Sequence, residues 1–299
     1  MTVTPTAPPR RAGEQTRARY PDEEGFVERD GVRVFWESYG AGEQTILFLP
    51  TWTLVHSRVW KAQIPYFARH FRVVTFDPRG NGRSDRPRTA EAYDESEFAK
   101  DALDVLDACG VDRAVCVSLS RGAQRALLLA TEHPERVSAL AFVGPMFPVT
   151  LSSLSTRLAT HPRMLRLSEQ RSLTTRGVGK FNLHYWQHGG YADFVRWWAE
   201  RMLPEPHSTK QTEDAIAWSH DTDGATLALS FAGRLAAPAT RRAQSALAER
   251  VRCRCSSSTA PRTRSPRTPT ARRSRRSPAG GWRRCRTRGT CRTRASRCR

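Results

Sequence analysis

Two short runs of mixed apolar and polar positions in "FVERDGVRVFWESYG", beginning at Phe26, read as two strands. Asp30-Gly31 in its middle is a favoured hairpin turn. "TILFLP", ending at Pro50, is a short unbroken apolar run and predicts a strand buried on both faces. The spacing then turns helical, with Trp60, Ile64 and Phe67 predicting one helix. "RVVTFD" predicts another buried strand, running into the glycine-rich turn "DPRGNGRSD". Phe98, Ala102, Val105, Leu106 and Cys109 fall on one helical stripe, which Gly110 terminates. "RAVCVSL" then predicts a strand, "RGAQRALLLATEH" a helix and "VSALAFVGP" a further strand.

Two leading strands followed by strand–helix alternation define the expected class. It is an α/β fold with a mostly parallel twisted sheet and helices on both faces. Ligands in such sheets bind at the carboxyl ends of the strands. Thr51-Trp52-Thr53, the segment from Asp77 to Gly82, and Ser120 all follow predicted strands, so they should share one edge. The core is expected over residues 25–149. Residues 150–240 lose the strand rhythm and are rich in aromatics, which predicts a helical cap inserted over that edge. Tyr185, Trp186, Phe194 and Trp197 then form either the cap's own core or the lining of a pocket. Residues 241–252 read as a return helix. The lead-in, residues 1–24, reads as disordered and basic, with no apolar secretion signal.

Charge changes the picture only at one end. The 299 residues carry a net charge of +20, but 16 arginines and no acidic residue lie in 253–299. Outside that tail 33 basic residues face 29 acidic ones, a balance of +4. A nucleic-acid module would spread its charge over a folded face, so no specific nucleic-acid partner is expected. No apolar run reaches the roughly 18 residues a membrane span requires. Only Cys109 and Cys116 fall in the body, which fits the cytoplasm. Cys253 and Cys255 are followed by no His and no Cys-x-x-Cys partner of a zinc site, and His184 and His188 lack a partnering Glu, so no metal is expected.

The chemistry sits in "VCVSLSRGAQ", residues 115–124. A serine on a tight strand-to-helix turn exposes its oxygen and faces helix N-terminal N–H groups, which suits a nucleophile. Such a turn is crowded, so the residues two before and two after must be small; around Ser120 these are Ser118 and Gly122. Ser118 is a rival, but it falls within the strand.

The order "FLPTWTLVHSRVW", "VVTFDPRGNGRSD" and "VSLSRGAQRALLLATEHPERV" resembles the alpha/beta-hydrolase fold superfamily over about residues 25–150. The resemblance implies Ser120 as nucleophile and the backbone N–H of Arg121 as one oxyanion donor. The second donor would be Thr53 or Trp52, because Thr51-Trp52 stands where members carry His-Gly. Asp77, Arg79, Gly80 and Gly82 match a structural turn of the family. Members with a nucleophilic Asp include dehalogenases and epoxide hydrolases; Ser120 points instead to acyl chemistry. No cofactor is implied.

The family order is Ser, acid, His, with the last two beyond the insertion. Residues 253–299 contain no Asp, Glu, His, Leu, Val, Ile or Phe, so neither partner, nor a strand, is expected there. Every residue from 253 on has a codon with G or C in the middle, as a GC-rich gene read one base out of register would give. Moving the frame back turns Cys255 and the three following serines into four apolar residues, a buried strand. "RGTCRT" can then read Gly-His-Val-Pro-His, and "CRCSSSTAPRT" can supply a strand followed by Asp. The sequence thus predicts a serine hydrolase for an apolar or aromatic acyl substrate, crippled in this chain by loss of its acid and His. Two alternatives stand beside it: a non-catalytic ligand-sensing module on the same fold, and a polyanion-binding basic tail.

Overall fold

The hairpin forms where its dipeptide lies. Asp30 and Gly31 both take positive φ (52° and 74°), and they join β1 (Glu23–Arg29) to β2 (Val32–Tyr39) with Arg29 opposite Val32. In this computed structural model the described residues are 17–146, 169–171, 175–236 and 248–258. The run "TILFL" becomes β3 (Thr45–Leu49), buried throughout, and β4 (Arg72–Phe76) follows it. Next come β5 (Ala114–Leu119), β6 (Val137–Val143) and β7 (Arg254–Ser258). The sheet order is β1-β2-β4-β3-β5-β6-β7, antiparallel from β1 to β4 and parallel thereafter.

Helices cover both faces. On one, α2 (Glu95–Ala108) and α3 (Gly122–Glu132) bury Phe98, Ala102, Val105, Leu106, Ala126 and Leu129, largely against Leu47, Val74 and Leu140. Asp94 caps α2 by accepting from the N–H of Ser96 (2.8 Å). Gly110, at φ 61°, ends α2: its N–H and that of Val111 bond the carbonyls of Asp107 and Leu106 (2.9 and 2.8 Å). The other face packs Phe48, Val73 and Tyr39 against Trp60 and Ile64. The single helix expected there is two pieces, a 3₁₀ turn (Ser57–Trp60) and α1 (Ile64–Phe67). Pro65, in the first turn of α1, has no N–H to continue a helix from upstream and starts a new one instead.

The described residues between β6 and β7 contain α4 (Leu183–Tyr185), α5 (Tyr191–Met202), α6 (Lys210–Ser219) and α7 (Gly224–Ala236), and no strand. Residues 147–168 and 172–174, within the expected cap, lie outside the described residues. So do 237–247, most of the expected return helix; residues 248–250 are helical.

Two expectations are corrected. The disordered lead-in does not reach residue 24. Arg17 donates to Glu37 Oε1 (2.7 Å) and to the Tyr39 hydroxyl (3.1 Å), because the buried Glu37 carboxylate on β2 needs a cation. The tail does contain a strand: β7 pairs in parallel with β6, Ala139 opposite Arg254 through Val143 opposite Ser258. A strand is built from main-chain hydrogen bonds, which Cys and Ser make as well as Val. What this strand lacks is apolar cover: Ser257 and Ser258 are exposed, and Cys255 alone of β7 joins the core. Residues 1–16 and 259–299 lie outside the described residues.

Candidate active site

β5 and α3 meet at Ser120, and the backbone there is unusual. Ser120 has φ 52°, the left-handed region; Asp30 in the hairpin is the other non-glycine with positive φ among the described residues. An L-residue held there costs on the order of 1–3 kcal/mol, which the surroundings must hold in place. The bonds that do so are its N–H to Val143 O (3.0 Å) and the Met146 N–H to its own carbonyl (3.0 Å). The crowding predicted from sequence is present. A Cβ on Gly122 would stand 2.7 Å from Pro50 O, so the start of α3 lies directly against the loop after β3. Ser118 is fully buried in β5, whereas Ser120 is partly exposed.

Trp52 and Thr53 follow β3 on that neighbouring loop. Among the described residues, the N–H groups of Trp52, Thr53 and Arg121 donate to no backbone carbonyl, which leaves all three available as oxyanion donors. The Thr53 carbonyl accepts from Asn81 Nδ2 (2.7 Å), fixing this loop to the glycine turn. In that turn Asp77 is held by the Ser57 hydroxyl (2.6 Å) and by the Arg83 N–H (2.9 Å). Arg79 forks onto Asp101 (2.7 and 2.5 Å), and a Cβ on Gly82 would collide with Asp77.

A charged cluster lies behind the corner. Arg121 bonds Glu95 Oε1, and Arg125 Nε bonds Glu95 Oε2 (2.8 Å). Arg125 Nη1 reaches the carbonyls of Thr51 (2.6 Å) and Pro50 (3.1 Å). All three charged side chains are buried. Burial alone would raise the Glu95 carboxyl, but the two guanidiniums hold it down at about 2.

A second cluster joins the core to the helical insertion. His56, buried on the loop after β3, places Nδ1 3.5 Å from Asp77 Oδ1 and Nε2 3.2 Å from Asp221 Oδ2. The second contact is at ion-pair distance but off the hydrogen-bond direction. Burial opposes charge on the imidazole, yet Asp77 and Asp221 outweigh it and raise the pKa of His56. Asp77, burial notwithstanding, is pushed well below the carboxylate range by His56. Lys61 pairs with Asp214 of α6 nearby, and Arg86 bonds the Asp221 carbonyl.

The aromatic residues divide. Trp186 and Phe194 are fully buried with Leu54, Leu227 and Phe231, so they are core of the insertion. Tyr185 and Trp197 lie at its margin, half-buried. Trp52 projects into the same nest, with ring centroids 6.1 Å from Phe181, Trp186 and Phe194 and 6.3 Å from Trp198. His184 and His188 stack on each other at 3.9 Å. Sequence reading singled out Ser120 and its neighbours as candidates and did not single out Glu95, Arg125 or His56, whose charges lie behind or beside that corner. The signal for the first two was present: each charge falls on the buried stripe of its helix, Glu95 with Phe98 and Ala102, Arg125 with Gly122 and Leu129.

The sheet order, the crossing helices and the positive-φ serine together define an alpha/beta-hydrolase fold, and the family model for that fold matches residues 44–189. Among characterised relatives, 2-hydroxymuconate semialdehyde hydrolase from Pseudomonas sp. is 38% identical over 94 residues, 30% of this chain and 33% of that one. The bifunctional esterase/perhydrolase of Acinetobacter calcoaceticus is 31% identical over 112 residues, covering 37% and 40%. Epoxide hydrolase B of Mycobacterium tuberculosis is 37% identical over 89 residues, covering 29% and 25%. The chain therefore matches less than half the length of each. Among solved structures, a hydrolase from Pseudomonas aeruginosa superposes with a TM-score of 0.54 over 78% of both chains at 24% identity. An esterase from Exiguobacterium antarcticum gives 0.53 over 69% of this chain and 71% of its own, at 21% identity. These two likenesses show the fold. No helix among the described residues is long and apolar enough to cross a membrane.

Proposed function

We propose that this chain is a serine hydrolase acting on an ester or related acyl substrate. The observation that carries the reading is the positive φ of Ser120 at the junction of β5 and α3. Nothing in packing alone calls for a serine there, and the strain is what thrusts a nucleophile's oxygen out of the sheet. Ser120 Oγ attacks the acyl carbon, and the carbonyl oxygen takes the negative charge. The N–H of Arg121 and that of Thr53, or Trp52, hold that oxyanion. The aromatic nest around Trp52 suits an apolar or aromatic acyl group, and the relative named as an esterase/perhydrolase accords with ester chemistry. A serine at the corner favours acyl transfer over the chemistry named in the epoxide hydrolase relative. The free, buried thiols of Cys109 and Cys116 suit the cytoplasm.

Residues 253–299, where the family order puts the acid and the base, contain no Asp, Glu or His. His56, buried beside Ser120's neighbouring loop, is already committed to Asp77 and Asp221. The base and acid belong to the reading frame displaced near Arg252, and β7 supports this: a strand forms at Arg254–Ser258, where the restored frame writes apolar residues. The test compares the chain as written with its frame-restored form on p-nitrophenyl esters. The restored form turns over at least about 100-fold faster, the usual worth of a general base, and Ser120→Ala abolishes that activity. Equal rates would place the base elsewhere. A restored chain that binds an apolar ester without hydrolysing it would favour the ligand-sensing alternative.

A further inference from the structure

Position 125 faces the core of α3, where an aliphatic residue would be the stable choice. A buried ion pair rarely stabilises a fold beyond well-packed apolar side chains. Here two guanidiniums share one carboxylate, and the buried Arg121 Nη1 and Arg125 Nη2 find no hydrogen-bond partner among the described residues. That cost is retained for a reason other than cohesion. The geometry supplies one. Arg125 Nη1 bonds the Thr51 and Pro50 carbonyls, the start of the loop that carries Trp52 and Thr53. Through Glu95 the same guanidinium is joined to Arg121, the residue that carries the other candidate oxyanion donor. Its plane is fixed by the Phe98 ring, 3.6 Å from the guanidinium carbon.

We propose that Arg125, braced by Glu95, is a positioning residue that sets the separation of the two oxyanion donors, one on each loop. The proposal rests on the serine-hydrolase reading. Arg125 makes no contact with the reacting atoms; it fixes where the N–H groups of Arg121 and Thr53 stand when the oxyanion forms. A planar fork can hold two carbonyls and a carboxylate at once, whereas an ammonium cannot keep that geometry.

The test uses the chain as it is and needs no catalytic base. A fluorophosphonate is added at alkaline pH, where hydroxide takes the serine proton. Ser120 Oγ bonds phosphorus, fluoride leaves, and the phosphoryl oxygen enters the oxyanion site; intact mass reports the adduct. Arg125→Lys and Arg125→Met are compared with the parent, with Ser120→Ala as control and melting temperature as the check on folding. The maximal labelling rate of a folded Arg125→Lys falls about 10- to 100-fold, as for a donor displaced by a fraction of an ångström to an ångström. Its half-saturating probe concentration stays near the parent's. A folded variant that labels at the parental rate overturns the proposal, and so does failure of both variants to fold, which would make Arg125 a residue of the fold alone. If the parent shows no adduct at Ser120, the hydrolase reading fails first and this inference falls with it.

Discussion

At the residue scale the reader of the sequence sees what local sterics dictate. Ser120 and Gly122 were legible because a tight corner restricts the side chains around it, and Gly110 because a helix end favours positive φ. Glu95, Arg125 and His56 were not, since their meaning lies in partners up to 165 positions away, as with His56 and Asp221, and no periodic pattern marks such pairs. His56 carries a prediction of its own. Its folded pKa is raised, so the charged imidazole between Asp77 and Asp221 contributes stability in full below the unfolded value of about 6.5. That contribution is lost as pH rises through the raised value. Arg58, which repels the charged imidazole, only moderates the effect. Urea midpoints measured from mildly acidic to alkaline pH should fall for the parent and stay flatter for His56→Asn. Parallel curves would mean that His56 is neutral throughout.

At the element scale the strands and the two long helices of the core follow their hydrophobic period closely. The failures are instructive. The helix expected around Trp60 to Phe67 broke because Pro65 acts as a helix starter. The strand β7 could not be seen because its pairing is made by the main chain, and its side chains, Cys and three serines, carry no apolar period. The helical insertion is fastened to the core at named points, one of which is backbone on backbone. A Cβ on Gly233 of α7 would stand 2.2 Å from Ala90 O and 2.9 Å from the Tyr93 carbonyl carbon. Gly233→Ala should therefore lower stability by about 1–3 kcal/mol through overpacking, despite its better helix propensity. A rise in the denaturation midpoint would show that α7 stands further off than this.

For the whole molecule, charge and fold separate. The class of the fold was readable from the alternation of strand and helix alone. The surplus charge belongs to the end of the chain, where residues 259–299 hold 15 arginines and no acidic residue. A chain ending at Ser258 should elute from heparin at markedly lower salt than the full chain, because counterion release scales with the number of cations engaged. Retention that survives the truncation would locate a basic face on the body instead.

The notch at Gly233 bears on how the helical insertion can move against the core. With α7 seated flush on the backbone near Ala90, that helix moves only when the core moves. The joints on the other side are of a softer kind: Lys61 with Asp214, and His56 with Asp221. Any shift of the insertion against the core is therefore expected first at α6 and its neighbour α5, with α7 as the fixed post, and added salt should weaken the two ionic joints there.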